Sequence, residues 1–519
     1  GRALRARELD LGRTGLLGLA VLAIAGTLVH LVAPVRPWVG GAAFAIGLVL
    51  FVRNARTLLR GTAAATWIAM GLALAALAFA SDYPQRHYDM GLYWLQSVRW
   101  VTDSPQQLGI AALQVRFGFN SIWFTVCAML EHPLAEGQSG SFAIALVSIF
   151  GAWIAADGVR DVVDGRRTFA AWLAASTALL VAACMQHLGG HSADGAVAVL
   201  GFVAVVSWAR AFERDEAFEA NARLAIVLAA FAFAVKISAA IWLAAAPALL
   251  LLRSRRAWRE VVPAVWVTAA LLVPWVVTGY LASGCPLYPS TFGCLPFPWT
   301  TPEWVGVEHE RAIRGWARNP WHLPDRTLGN WAWVPAWAGR TLEDGIVRLL
   351  AAALVAGAAG VALVRRPASP GFWALAAVAL AGLGFWFVGA PTPRFGWAYL
   401  FAIALAPASE AAARLAALPR RWIAGALGAV AIAGAVGMAV ASLGWMRQVP
   451  WEKRSPISWP ELPFAHTKEM RSSDGLTIRL PMKGDQCWSA PPPCTTHLLA
   501  PGLKRDGRMF WISNPDVRF

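Results

Sequence analysis

Long apolar runs recur along this 519-residue chain and constrain its fold more than any other feature. An α-helix needs roughly 20 apolar residues to cross a bilayer. Runs of about that length occur, for example, at 16–34, 63–80, 142–156 and 422–443. The chain is 57% hydrophobic and only 14% charged, a balance that a soluble core could not absorb. The sequence therefore predicts an all-α polytopic membrane protein with about 13 transmembrane helices.

Arginine residues gather in alternate predicted loops, and this pattern sets the expected topology. Lys and Arg collect in short cytoplasmic loops. We therefore place the N-terminus in the cytoplasm, and an odd number of spans then places the C-terminus outside. The net charge of +15 follows from this topology and from affinity for anionic membrane lipids. We expect no nucleic-acid binding, because no platform of aromatic and basic residues accompanies the charge.

This topology divides the chain into two parts. A transmembrane domain covers residues 1–444, and a small extracytoplasmic domain covers 445–519. The first apolar run has no recognisable cleavage site, so we expect it to be a retained span. The tail is rich in proline, which predicts a strand-poor cap over the outer face. The loops expected outside are 81–136, which also holds interfacial helices, and 187–195, 284–340 and 390–396.

Two cysteine pairs fall in segments expected outside the cell membrane. Cys285 and Cys294 share the long loop, and Cys487 and Cys494 share the tail. Local pairs in an oxidising compartment predict two disulfides. Four free thiols are the alternative. Metal binding is disfavoured because neither pair has a CxxC spacing.

Two carboxylates follow directly on an apolar run, at Asp82 and Asp89. Asp89 begins a stretch whose apolar residues predict a short amphipathic helix along the membrane interface. A carboxylate at that helix N-terminus is favoured by the helix dipole, so a simple helix cap is one interpretation of Asp89. Catalysis on a molecule carried by the membrane is the other. Pro84 lies between the two acids, and we therefore do not expect them to form a metal pair.

Two basic residues stand in apolar surroundings that make a lone charge costly. The segment 224–252 is long for one crossing, so Lys236 is expected at an outward turn between two short helices. Arg394 lies at another outward turn, between Pro393 and Phe395. A guanidinium and an ammonium together suit phosphate binding. Structural ion pairs or snorkelling side chains are the alternative roles.

Short segments spread over most of the chain carry a resemblance to known proteins. The acid in the first large outer loop, the interfacial helices, the many spans and the later basic turn resemble the GT-C superfamily, integral-membrane glycosyltransferases that use polyprenol-linked sugars. The segments also resemble those of a little-characterised bacterial multispanning family related to that superfamily. They are YDMGLY at 88–93, RFGFNS at 116–121, VKIS at 235–238, GCPLYPS at 284–290, PRFG at 393–396 and GDQCW at 484–488.

The resemblance implies roles for individual residues. Asp89 would be the general base, with Asp82 second. Carrier phosphate would bind Lys236 and Arg394, and we add Arg86. No Asp-Asp or Asp-x-Asp pair is present and two spans precede the one leading into the acid loop, so no cofactor is certain and a divalent metal is possible. The residues expected to contact sugar or acceptor are His87, Tyr93, His191, Asp194, Tyr288 and Trp299; Asp194 and His191 have helix capping as their alternative.

The implied activity is an inverting transfer in the bacterial inner membrane. The donor would be a polyprenyl-phosphate-linked sugar, and the acceptor an extracytoplasmic glycan, lipid or protein. A protein partner at the outer face is also considered. Two other functions stay open, namely a non-catalytic subunit of a larger membrane assembly and a transporter or flippase for lipid-linked sugar. The tryptophans of loop 284–340 fit sugar stacking and a membrane interface equally well.

Overall fold

A computed structural model gives the fold, and it describes most of the chain. The described residues are 10–59, 67, 70–71, 87–133, 136–184, 190–213, 218–253, 257–364, 367–415, 462–471, 476–495 and 503–513. Structural statements below concern these residues.

The chain is mostly helical, as predicted. Fifteen α-helices follow in order within the described residues: α1 Leu11–Val32, α2 Pro37–Leu58, α3 Leu95–Asp103, α4 Ile122–Met129, α5 Ser139–Val163, α6 Phe169–Cys184, α7 Ala193–Glu213, α8 Phe218–Val235, α9 Ala240–Arg253, α10 Ala257–Ser283, α11 Glu303–Arg318, α12 Val334–Glu343, α13 Gly345–Leu363, α14 Pro370–Gly389 and α15 Pro393–Arg414. A π-helix, Met90–Trp94, leads into α3.

Nine helices of the described part are long and apolar enough to cross a membrane, so the chain is a multi-pass membrane protein. They are α1, α2, α5, α7, α8, α10, α13, α14 and α15. Helix α6 and the segment Ile237–Ala248 are apolar but shorter. The run predicted at 422–443 and most of that at 63–80 lie outside the described residues. The total of about 13 spans stays a prediction.

Helices α7 and α8 form the centre of the bundle. Burial covers 94% of the apolar window of α7 and 83% of that of α8, against 6% for α2. A helix that is apolar on all sides needs neighbours on all sides. Helix α7 has them, because it packs against α6, α8, α14 and α15. The two candidate spans of the described part with the highest burial are therefore α7 and α8.

The helix break predicted at Lys236 is confirmed. Helix α8 ends at Val235, and Lys236 has an extended backbone with φ −155° and ψ 127°. A 3₁₀ turn, Ile237–Ala239, then leads into α9. The break lets the lysine leave the apolar packing of α8, where an unpaired charge would be costly.

The helix predicted to begin near Asp89 is present, with one difference. Its first turn is a π-helix, and only then does α3 begin. The predicted apolar face is buried, since Leu92, Leu95, Val98 and Trp100 are each less than 10% exposed. Part of this face packs on the tail, where Trp100 meets Phe510 edge-on.

The tail corrects a second expectation, because it is not strand-poor. It contains two antiparallel hairpins, β1 Thr467–Arg471 with β2 Thr477–Pro481, and β3 Leu503–Asp506 with β4 Met509–Ile512. Ile478 and Phe510 are fully buried and join a small core with Trp100 of α3. The proline content did not indicate these strands, whose inward residues pack against the loop that contains α3. The tail therefore packs on that loop.

Both predicted cysteine pairs are disulfides in the structure, Cys285–Cys294 and Cys487–Cys494. The other two cysteines, Cys127 and Cys184, are free and buried.

We expect two thiols to be alkylated when the chain is denatured without reductant, and six after reduction. The pairing removes four thiols from reaction, and unfolding exposes the two buried ones. Peptide mapping by mass spectrometry checks this, with the reduced chain as the control. Alkylation of Cys285 or Cys487 without reductant would contradict the pairing.

Candidate functional site

Five polar side chains from four separate segments meet at one end of the helix bundle. His87 and Asp89 come from the turn before the π-helix, Asp194 from the first turn of α7, Lys236 from the break after α8, and Arg394 from the first turn of α15. We call these five residues the ionic cluster. Of the residues predicted for catalysis and phosphate binding, it unites Asp89, Lys236 and Arg394.

Arg394 joins the two halves of the cluster. Its Nη1 lies 3.1 Å from Oδ2 of Asp89 and 3.7 Å from Oδ2 of Asp194. The same nitrogen lies 2.9 Å from Nε2 of His87 and donates to it. Pro393 is the first residue of α15, a position that suits proline. Arg394 therefore lies in the first turn of this helix, at the end of the bundle.

Lys236 forms an ion pair and hydrogen bond with Oδ1 of Asp194. Its Nζ also lies 3.6 Å from the centre of the Phe395 ring. The guanidinium carbon of Arg394 is 5.0 Å from that centre. The ring of Phe395 therefore attracts both cations without adding negative charge to the cluster.

The charges of the cluster balance, but their exposure differs. The side chain of Asp194 is 3% exposed, whereas Asp89, Arg394 and Lys236 are 17%, 19% and 24% exposed. Asp194 therefore lies on the buried side of both cations. The side chains of Asp89, Arg394 and Lys236 are partly exposed at the protein surface. An anion entering from outside would meet both cations.

Asp89 is not a helix cap in the structure. It is placed at the start of the π-helix, yet its side chain makes no capping hydrogen bond. The carboxylate points to Arg394 instead. This geometry leaves the carboxylate at the cluster surface.

The surroundings of His87 favour its neutral form. Its ring stacks on Trp94 with 4.5 Å between ring centres, and its side chain is 35% exposed. Burial lowers its pKa below 6.5, and the neighbouring positive charge of Arg394 lowers it further. A neutral imidazole can accept the hydrogen bond from Arg394, which a protonated one cannot.

His191 lies in the interior, which corrects its predicted contact with sugar or acceptor. It is fully buried. Its Nε2 accepts from the backbone N–H of Gly140 at 3.2 Å, and its Nδ1 faces the sulfur of Met90 at 3.1 Å. Burial lowers its pKa to about 3. His191 therefore supports the residue that follows Asp89 and offers no free nitrogen to a ligand.

Three other predicted contact residues take part in packing. Tyr93 lies edge-on to Trp94, Phe119 and Phe124. The indole of Trp299 stacks on Phe297 and donates to the carbonyl of Tyr280 at 2.9 Å. Tyr288 is 4% exposed, with its hydroxyl 3.5 Å from Nδ1 of His309. Their predicted contacts with a sugar stay predictions.

The structure also changes the weight given to individual residues. Asp194, predicted only as a possible contact, is the buried centre of the cluster. Trp316 of α11 was not singled out, yet Arg394 lies 5.4 Å from its ring centre. Their place beside Arg394 and Lys236 depends on helix packing, which local sequence does not record. Asp82 and Arg86 lie outside the described residues. Across the described ranges, no group of three His, Cys, Asp or Glu side chains could hold a metal ion.

Replacing Asp194 by Asn should destabilise the folded chain. Removing one partner of a buried ion pair costs about 3–5 kcal/mol, and the partial exposure of both cations favours the lower end. The matched control is Asp325→Asn, whose carboxylate is 76% exposed and pairs with Arg311. An exposed pair is worth about 0–1 kcal/mol. Melting temperatures in one detergent test the order, and equal losses in both variants would contradict it.

Stability should also depend on the protonation of His87. Its folded pKa lies below 6.5, so the unfolded chain binds more protons as pH falls. The contribution of His87 is therefore complete above about pH 6.5 and is lost as pH falls below it. We expect the difference in melting temperature between the wild type and His87→Asn to shrink between about pH 7 and 5. A constant difference would argue against this.

Comparison with known families covers most of the chain. Residues 2–401 match a family described as a domain of unknown function, DUF8201. No curated protein matches the chain. The match includes all five residues of the ionic cluster and ends before the tail. The chain therefore belongs to the DUF8201 family.

Proposed function

We propose that the chain is a membrane glycosyltransferase that moves a sugar from a polyprenyl-phosphate carrier to an extracytoplasmic acceptor, with inversion. The observation that carries the proposal is the ionic cluster itself. It places a reachable carboxylate, Asp89, beside two reachable cations, Lys236 and Arg394, at the end of an apolar bundle. A phosphate headgroup with an isoprenoid tail matches that combination of charge and apolar surroundings.

The charge of the site fits a phosphodiester. Asp194 is buried and stays paired, so it neutralises one of the two cations. If the donor phosphate replaces Asp89 on Arg394, the remaining charge of +1 matches the single negative charge of the phosphodiester. The leaving phosphate gains a second negative charge as the bond to the sugar breaks. Lys236 and Arg394 would stabilise that developing charge.

Asp89 supplies the second half of the reaction. Once displaced from Arg394, its carboxylate is free to take the proton of an acceptor hydroxyl. The hydroxyl oxygen attacks the anomeric carbon, and the electron pair of the broken carbon–oxygen bond goes to the phosphate. Attack from the side opposite the phosphate inverts the anomeric centre. General-base assistance of this kind contributes about 100- to 10,000-fold.

Disulfides and connectivity support an extracytoplasmic site. Cys285 follows the end of α10, and the segment with Cys487 and Cys494 packs beside Asp89. Disulfides persist in oxidising compartments, which favours the outer face for this end of the bundle. His30 lies in the last turn of α1, and its carbonyl accepts a hydrogen bond from the backbone N–H of Gln106, in the loop that contains α3. The N-terminal end of α1 would then face the cytoplasm, as in a bacterial inner-membrane protein.

Asp89→Asn should lower the rate of transfer about 100- to 10,000-fold, because asparagine cannot take up the proton. The assay follows release of polyprenyl phosphate from radiolabelled polyprenyl-phosphate hexoses and pentoses, with the chain in lipid nanodiscs and cell-envelope glycans and lipids as acceptors.

A second aspartate of the same region provides the control. Asp103 ends α3 and forms an ion pair with Arg36 at 3.6 Å, with about half of each side chain exposed. Asp103→Asn should keep the wild-type rate. Full turnover in Asp89→Asn would remove Asp89 from the mechanism. Absence of transfer from the wild type with every donor would overturn the proposed function.

A further inference from the structure

One short segment of the tail forms hydrogen bonds with the turn that carries Asp89. This segment spans residues 485–490, and we call it the tail strap. Cys487 of the strap forms a disulfide with Cys494. The strap contacts Tyr88 and Gly91 at the start of the π-helix, and Gln96 and Arg99 in α3. It lies almost 400 residues away in sequence, at a separation of 398 for one of its contacts.

Backbone groups of the turn are bonded directly by the strap. The N–H of Trp488 donates to the carbonyl of Gly91 at 3.0 Å. The side-chain amide of Gln486 donates to the carbonyl of Tyr88 at 2.8 Å, and the hydroxyl of Tyr88 donates to Asp485. Tyr88 and Gly91 lie on either side of Asp89. The strap therefore fixes the backbone before and after the proposed base.

A fully buried amide holds the strap from the other side. Nε2 of Gln96 donates to the carbonyls of Trp488 at 2.9 Å and Ala490 at 2.6 Å. Arg99, one turn further along α3, donates to the carbonyl of Ser489. A buried donor that lost these acceptors would pay its desolvation cost. The strap and α3 are thus held together at several points.

Gly91 makes the close approach possible. A Cβ at this position would lie 2.5 Å from Cε2 of the Trp488 ring, so an alanine would push the ring away. Trp488 itself has φ 43°, in the left-handed region that a bulky residue rarely adopts. Such a conformation persists where surrounding contacts impose it, and it often marks a functional site. A π-helix turn at the same place is a second unusual feature of that kind.

We propose that the tail strap positions Asp89 for proton transfer, with Trp488 as a positioning residue that acts through Gly91. The proposal rests on the proposed glycosyl transfer and adds that the tail is required for it. The strap touches neither Arg394 nor Lys236 in its described contacts, so its effect should fall on the base and not on phosphate binding.

Gly91→Ala tests this in the full chain in nanodiscs. We expect kcat to fall about 10- to 100-fold, because small misplacements of a catalytic group have effects of this size. The KM for the polyprenyl-phosphate sugar should stay within about twofold of the wild-type value. Gly41→Ala is the control, since Gly41 lies in α2 with no atom within 4 Å of the added Cβ. It should behave as the wild type.

Two combinations separate positioning from general damage. In an Asp89→Asn background, Gly91→Ala should reduce the residual rate no further, because the group being positioned is already gone. In a Trp488→Ala background, Gly91→Ala should have a smaller effect than in the wild type, because the ring is absent and only the Cβ of Gln486, 2.9 Å from the added Cβ, still crowds it. A full independent loss in the Asp89→Asn background would overturn the proposal.

A second variant and a second readout guard against misfolding and against failure of the transfer assay. Gln96→Met removes both bonds of the buried amide with little change in shape, and it should also lower kcat. Hydrogen exchange of the Trp488 amide reads the strap directly, because its N–H donates to the carbonyl of Gly91, and protection should fall in Gly91→Ala but not in Gly41→Ala. Wild-type rates in both Gly91→Ala and Gln96→Met overturn the positioning role. If the wild type transfers no sugar, the proposed function fails, and unchanged exchange in Gly91→Ala would overturn the strap as well.

Discussion

The pairing of the buried Asp194 carboxylate with Lys236 and Arg394 is the interaction on which the rest of the site depends. The carboxylate binds Lys236 and faces Arg394 at 3.7 Å, and only 3% of the Asp194 side chain is exposed. Two cations in an apolar bundle would repel each other and lose hydration without such a partner. The ends of α7, α8 and α15 must therefore meet at this point, where Asp194, Lys236 and Arg394 lie close together.

The loop that contains α3 and the tail build a second layer on this base. The first layer positions the two cations. The second layer brings Asp89 and His87 close to Arg394, from a turn that is hydrogen-bonded to the tail strap. Each layer uses a different kind of interaction. Charge balance fixes the bundle end, while backbone hydrogen bonds and a disulfide fix the turn above it. A site built this way keeps its acid reachable from outside and its cations supported from inside.

Parts of this arrangement could be predicted from sequence because they depend on neighbouring residues. A lysine inside a long apolar run predicted the helix break at Lys236, since a span cannot carry it unpaired. Cysteines close together in expected outer loops predicted both disulfides. Asp194 was underrated because an acid at a helix start has a simple capping explanation, and His191 was misjudged because its burial comes from α5, which packs over it. The strands of the tail were missed because the residues that bury their inward side chains lie in a distant loop.

The sequence by itself determined that this is a multi-pass helical membrane protein. It also determined that a helix ends just before Lys236, and which few charged residues lie in apolar surroundings. Those properties follow from hydropathy and local spacing. Only the tertiary structure decided that Asp89 faces Arg394, 305 residues away, and does not cap its helix. The same is true of the central place of Asp194 and of the tail strap at Gly91. Contacts over such separations depend on how whole helices pack, and no local pattern of residues records that packing.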